Sequence, residues 1–274
     1  MSELETKQAR LEDELGRVPS LVVAYSGGVD SAFLAYAAHH VLADRMLAVT
    51  ALSESYSAED RRKATDCARE LALPHEFIET REVANPAYRA NAPNRCFFCK
   101  DELFTELDAL AERRGYAAVA YGVNMDDLGD WRPGQQAARD HRVLTPLVAA
   151  QLTKADIREL ARRAGVPVWD RPASPCLASR IAYGIEVTPE RLRVVEKGEE
   201  ALRALGFTRF RLRHHDQLAR VEIAAEELPR ALDPEMARRF VEALKALGFT
   251  YVTLDLEGYR QGSLNSGLTK ITGS

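Results

Sequence analysis

Short runs of unbroken apolar residues alternate, over the first half of the chain, with longer segments whose apolar positions recur every third or fourth residue. The apolar runs fall at 21–25, 46–51, 75–79 and 117–121, and the amphipathic segments at 31–42, 58–71 and 101–113. A short apolar run bounded by turn residues reads as a buried strand, and the longer period reads as a helix. Strands separated by helices predict a parallel sheet covered on both faces, a Rossmann-like α/β architecture. One more helix is predicted over 154–164. Thr153 and Asp156 form a capping pair at its start, and Gly165 and Pro167 stop it.

The periodicity lapses in "VPVWDRPASPCLASRIAYGIEVTP", which carries four prolines. A domain boundary is expected near its end, at about Ile185, giving domains of residues 1–185 and 186–274. Beyond it the chain echoes itself: "ALRALGFTRFRL" starts at Ala201 and "ALKALGFTYVTL" at Ala243. Each copy reads as a helix end, a glycine stop and a strand. The two helices open with Thr188-Pro189 and Asp233-Pro234, good N-cap and N1 pairs. With a further strand at 218–223, the order is α-β-β-α-β, a small α+β domain. Duplication and chance recurrence both remain open, because two units are too few for a repeat array.

The chain has 274 residues, 46% of them hydrophobic, enough for a proper core. Its net charge of −4 argues weakly against a protein whose main task is gripping nucleic acid. The N-terminal stretch "MSELETKQARLEDELGR" is charged and lacks the apolar core of a signal peptide. The most apolar stretch, around 32–43, contains His39 and His40 and is too short to span a bilayer. A soluble cytoplasmic protein is expected, with no membrane partner. Its cysteines, Cys67, Cys96, Cys99 and Cys176, are then poor disulfide candidates. Cys67 lies in a helical pattern and reads as buried filler.

The segment "VVAYSGGVDSAFLAYAA" places Ser26-Gly27-Gly28-Val29-Asp30-Ser31 between a strand and a helix. The P-loop signature and the dinucleotide fingerprint are both missing from the sequence. Glycines permit a tight turn and close approach of backbone to an anion. The serine hydroxyls and the free N–H groups of the new helix can hold a phosphate. Asp30 would repel a phosphate by itself, so a role near Mg²⁺ is the sensible one. The six residues resemble the PP-loop of the ATP pyrophosphatase superfamily. That resemblance implies cleavage of ATP between its α and β phosphates, retention of pyrophosphate in the loop and transfer of AMP to a substrate oxygen. It also implies Ser53, after the second strand, as an adenine-recognition candidate, and Gly122, after the fourth, as a close approach to the nucleotide.

"NRCFFCK" sets Cys96 and Cys99 on a loop expected just before a helix, and "SPCLASR" supplies Cys176. A C-x-x-C pair suits two thiolates on one metal centre. Loops at the carboxyl ends of parallel strands converge on the ligand crevice, which is where the three thiols are expected to meet. Spacing leaves open a three-cysteine [4Fe–4S] cluster with one free iron, a zinc site with a further ligand, a redox pair, or unrelated thiols. Together with "SGGVDS", "DDLGDWRPG" and "PCLASRIAYG", these residues resemble the LarE family, and the match covers most of the chain. The resemblance implies an ATP-dependent sulfur transferase that adenylates pyridinium-3,5-biscarboxylic acid mononucleotide. Oxygen is then replaced by sulfur, on the way to the nickel-pincer nucleotide. One branch of the family sacrifices the cysteine corresponding to Cys176, leaving dehydroalanine. The other adds a C-x-x-C pair and uses a [4Fe–4S] cluster, and with Cys96 and Cys99 this chain resembles that branch, the sacrificial route staying open. The same resemblance implies a sulfide donor and a homohexamer.

Arg180, four residues past Cys176, is a candidate to stabilise the acyl phosphate or to fork onto a carboxylate; the alternative is a surface or interface salt bridge. Arg209, Arg211 and Arg213 alternate along a predicted strand and so share a face. The family implies Arg211 and Arg213 as the grip on the substrate's phosphate. His214 and His215 read as turn residues. Glu200 and Glu222 are open between an interface metal and simple solvation. Asp126, Asp127 and Asp130 are expected to shape the loop beside the nucleotide, and Trp131 and Arg132 to touch substrate or cover the pocket. The rival readings are a tRNA thiolase, an ammonia-using synthetase and a nucleotide-binding regulatory module. Four cysteines and an acidic balance offer little to the first.

Overall fold

The computed structural model describes residues 2–129, 133–172 and 174–260. The chain divides into two compact units, Met1–Glu82 with Cys96–Ser174, and Val83–Arg95 with Pro175–Ser274. The second unit thus starts at Pro175 and takes in residues 83–95, where the sequence reading sets a single boundary near Ile185.

The first unit is built on four parallel strands, β1 (Leu21–Ala24), β2 (Met46–Leu52), β3 (His75–Glu79) and β4 (Ala118–Tyr121), in the order β3-β2-β1-β4. Leu21 pairs with Met46 on one side and with Ala118 on the other, so β1 is central. Successive residues of β1 face opposite ways. Leu21 and Val23 pack with residues of α1 (Glu3–Gly16), α2 (Val29–Leu42), α3 (Ala58–Glu70) and a later helix. Val22 and Ala24 pack with Phe104, Leu107 and Ala137 from α4 (Arg95–Arg114) and α5 (Pro133–Asp140). Both faces of the sheet are therefore covered, as the unbroken apolar strands require. The later helix, α6 (Lys154–Arg163), has the expected capping box of Thr153 and Asp156 and stops at Gly165, φ +71°. Strand order reverses between β1 and β4. In an open parallel sheet the ligand crevice lies outside the carboxyl ends at that reversal.

The second unit carries the sheet β5 (Phe210–His215), β6 (Leu218–Ile223) and β7 (Tyr251–Leu254), antiparallel between β5 and β6 and parallel between β6 and β7. Helices α7 (Pro189–Ala204) and α8 (Pro234–Lys245) pack on it through Leu202, Phe240 and Leu244. Thr188 and Asp233 cap them through their side chains, each ahead of a proline. Gly198 lets α7 lie against β5, since a Cβ there would collide with the Leu212 side chain. Asn91 belongs to this unit: its Nδ2 donates to the carbonyls of Ala182 (2.9 Å) and Ile185 (2.8 Å). His214 and His215 lie in β5, and the turn falls at Asp216, φ +56°. The turn expected at the two histidines is thereby corrected: His214 is buried edge-on to Phe249, and burial lowers the pKa of both.

Candidate active site

After Ala24 the chain bends through Ser26–Gly28 into α2. Gly27 has φ +71°, and a Cβ on it would sit 2.7 Å from Ala64 Cβ, so a larger residue fails on conformation and on space. Gly28 is the N-cap of α2 and offers no side chain to its free amides. Those amides, with the positive end of the helix dipole, suit an anion. Ser26 N–H donates to Ser31 Oγ (3.1 Å), and Ser31 Oγ donates to Gly28 O (3.0 Å). The two hydroxyls stand 3.1 Å apart, and both residues line a cavity of about 190 Å³. Its lining includes Ser26, Gly28, Asp30, Ser31, Lys100 and Gly122. Asp30 pairs with Lys154 Nζ at 2.5 Å and accepts from Asn124 Nδ2 at 3.4 Å. What the bare Gly122 demonstrably makes room for is the start of α2: a Cβ would lie 2.8 Å from Ser31 N. The hydroxyl of Ser53, beyond β2, is donated to the buried Glu82, which also accepts from Ser55 Oγ at 2.8 Å. Asp126 accepts from the Lys154 amide (2.7 Å) and Asp127 from the Asn124 amide (3.1 Å), so both carboxylates fix this loop. Asp130, Trp131 and Arg132 lie outside the described residues.

Cys96 and Cys99 lie in the first turn of α4, one exposed and one half-buried, and not on a loop before it. The helix starts early because Phe97 already packs on the core below Phe104 and Leu107, extending the apolar face by two turns. A spacing of three on a helix puts both sulfurs on one face. Lys100, one residue on, stands 5.6 Å from the ring centre of Phe104 and 5.9 Å from that of Tyr121.

In the second unit, Cys176 leads a single helical turn, Leu177–Arg180. Its carbonyl accepts from Ser179 Oγ (2.7 Å) and Arg180 Nη1 (3.0 Å). The Arg180 fork is taken by the buried Glu199, at 3.0 and 3.2 Å. Arg213 grips Glu222 at 3.0 and 2.9 Å, and Arg220 reaches the same carboxylate at 3.1 Å. Glu222 has no exposed surface, so solvation is not its role, whereas Glu200 is exposed. Arg211 donates to Phe210 O (2.8 Å) and lies 5.1 Å from the ring centre of Tyr259. Burial, with the charge of Arg180 nearby, lowers its pKa. Arg209 falls before the strand and pairs with Glu226 at the surface. Among the described residues no group of three or more His, Cys, Asp and Glu is arranged to hold a metal ion. The two thiols of α4 share one face, while Cys176 belongs to the other unit.

The profile of the NAD synthase family matches residues 6–126. An uncharacterized protein of Synechocystis is 43% identical over 97% of this chain and all of its own length. The pyridinium-3,5-bisthiocarboxylic acid mononucleotide synthase of Lactiplantibacillus plantarum is 34% identical over 98% of each chain. The chain belongs to that synthase's family. An uncharacterized protein of Methanocaldococcus jannaschii, 28% identical over 88% of this chain and 90% of its own, extends the set.

This LarE-type chain is therefore an enzyme on a PP-loop scaffold, as its motifs imply. Sequence reasoning missed Lys154, Lys100 and Tyr56, all of which stand at the loop or its cavity. Lys154 carried a usable signal. It is the first residue of α6, where a cation opposes the helix dipole, and such a placement needs a partner like Asp30. Lys100 and Tyr56 had none, because only the fold brings them to Ser26.

Proposed function

We propose that this chain is an ATP-dependent sulfurtransferase acting on pyridinium-3,5-biscarboxylic acid mononucleotide. The observation that carries the reading is the Ser26–Ser31 turn at the end of a central parallel strand, in a chain aligned end to end with the synthase. ATP is held with its β and γ phosphates on the amides of residues 27–31 and the hydroxyls of Ser26 and Ser31. A substrate carboxylate oxygen attacks the α phosphorus, and the bond to the bridging oxygen breaks as pyrophosphate leaves. Carboxylate oxygen is a very poor leaving group and AMP a good one, so the adenylate is open to sulfur. Sulfur adds to the acyl carbon, AMP departs with the original oxygen, and a thiocarboxylate remains. A second round converts the other carboxylate.

Asp30 and Lys154 organise charge at the pyrophosphate. Mg²⁺ there would neutralise the leaving group, with Asp30 as the protein's ligand. Ser53 is assigned to the adenine, and Gly122 to a close approach to the nucleotide. Arg211 and Arg213 are assigned to the substrate phosphate, a buried anion that would offset the like charges of Arg211 and Arg180. Arg180, through the Cys176 carbonyl and Glu199, holds the thiol-bearing turn. Cys96, Cys99 and Cys176 fit a three-thiolate [4Fe–4S] centre in number and chemistry, and such a centre would supply a site for hydrosulfide from an external donor. The other branch uses Cys176 itself as the sulfur source. A cytoplasmic homohexamer belongs to the same proposal.

Pyrophosphate release that depends on the pyridinium substrate tests the activity, and ATP binding without turnover would leave a regulatory module instead. Anaerobic purification with iron and sulfide counting separates the branches. About four irons per chain is expected, and a colourless protein that gains dehydroalanine at Cys176 would select the sacrificial route.

A further inference from the structure

The loop that receives pyrophosphate is held from behind by two side chains outside the motif. Tyr56 OH lies 3.1 Å from the carbonyl oxygen of Ser26 and donates to it, with Asp60 O as its alternative acceptor at 3.2 Å. Arg171 Nη1 donates to the carbonyl of Gly27 at 3.3 Å, while its Nη2 donates to Asp60 Oδ1 at 2.9 Å. In a planar trans peptide, the carbonyl of one residue and the N–H of the next point in opposite directions. Fixing the Ser26 and Gly27 carbonyls therefore fixes the N–H groups of Gly27 and Gly28, aimed away from Tyr56 and Arg171. Consecutive amides turned one way form an anion-binding concavity. The Gly28 amide meets Ser26 Oγ at 3.4 Å, a long bond that a phosphate oxygen would outcompete.

The support is itself braced. Asp60 sits in the first turn of α3, where Ser57 Oγ (2.7 Å) and Ser174 Oγ (3.4 Å) donate to its Oδ2. Arg158 Nη2 donates to the Arg171 carbonyl at 3.3 Å. The Arg171 and Asp60 side chains are 16% and 17% exposed. A largely buried pair of this kind adds little net stability, and its contribution is to geometry. An arginine fork suits the place, because a single planar group must satisfy a carboxylate and a carbonyl at once. Neither glycine can hold the turn by itself, since both are free to populate several backbone conformations.

We propose that Arg171 and Tyr56 are positioning residues that pre-set the amides of the pyrophosphate-binding loop. This rests on the PP-loop reading. The test is calorimetric titration of the full chain with inorganic pyrophosphate in Mg²⁺, and separately with AMP. Wild type binds both. Arg171→Met weakens pyrophosphate at least about tenfold and AMP by less than about threefold, and Arg171→Lys recovers part of the loss. Tyr56→Phe, which keeps the ring and removes the hydroxyl, weakens pyrophosphate several-fold at an unchanged unfolding temperature. Unchanged pyrophosphate affinity in Arg171→Met and Tyr56→Phe overturns the proposal. So does equal loss of both ligands with a lowered unfolding temperature, which would make the pair a brace for the fold. A wild-type protein that ignores pyrophosphate overturns the PP-loop reading along with the proposal.

Discussion

Glu222 shows what a single side chain can be asked to do. It has no exposed surface, and the guanidinium groups of Arg213 and Arg220 both close on it. Removing one partner of a buried pair leaves the other charge uncompensated, at about 3–5 kcal/mol. Glu222→Leu is accordingly expected to lower the unfolding free energy by about that amount in urea titrations. A loss within the ±0.5 kcal/mol of an ordinary surface change would show that Arg213 finds another anion. Asp30 makes the contrasting case. It is half of a charged pair at the loop, so Asp30→Ala should abolish pyrophosphate release with little effect on folding. Release at the wild-type rate would remove Asp30 from the mechanism. The partners of Glu222 were not legible in the sequence; at Lys154 the need for an anion was, but not its identity, since Asp30 lies 124 residues away.

At the scale of the element, α4 carries the cysteine pair and also a charged tie. Asp101 and Asp108, seven apart on one face, hold His141 at 3.1 and 2.7 Å, just past the end of α5. Burial lowers the pKa of His141, but the hydrogen bonds to Asp108 and then Asp101 outweigh it, and the net shift is upward. A raised folded pKa stabilises fully below the unfolded value near 6.5 and loses that contribution as pH rises through the folded value. His141→Gln should therefore cost more stability at pH 5.5 than at pH 8.5, read as the gap between two urea curves. Equal gaps would mean that the tie is a neutral hydrogen bond. Local signals read well at this scale. Thr153 with Asp156, Thr188 with Pro189 and Asp233 with Pro234 all cap the helices they were expected to cap, since a cap is satisfied within a few residues. The start of α4 escaped for the complementary reason: Phe97 extends the helix by packing on a core assembled from distant strands. On the proposed three-thiolate centre, Cys96→Ala is expected to lower the iron content of anaerobically purified protein and to end multiple turnover; iron content equal to wild type would take the pair out of that proposal.

The whole molecule interleaves its two units, the chain passing from one to the other after Glu82, after Arg95 and after Ser174. The α+β nature of the second unit was legible, because its helix–glycine–strand order is local. Its claim on residues 83–95 was not, since Asn91 reaches carbonyls more than ninety residues away. A fragment of residues 186–274 lacks Asn91, Arg95 and the turn after Cys176. It is expected to remain largely unfolded by circular dichroism and amide proton dispersion, and a cooperative unfolding transition in that fragment would show residues 83–95 to be dispensable. No helix among the described residues is long and apolar enough to cross a membrane.

Gly122 has a consequence for how the crevice tolerates change. The end of β4 meets the opening turn of α2 main chain to main chain, with no room for even a methyl group. A clash between side chains can be relieved by turning one of them, but here there is nothing to rotate. An alanine at this position would wedge the two elements apart and carry Asp30 and Ser31 with them. The separation of these two elements is thus set by a residue that lends no functional group, and a search for important positions by chemical role alone would pass it over.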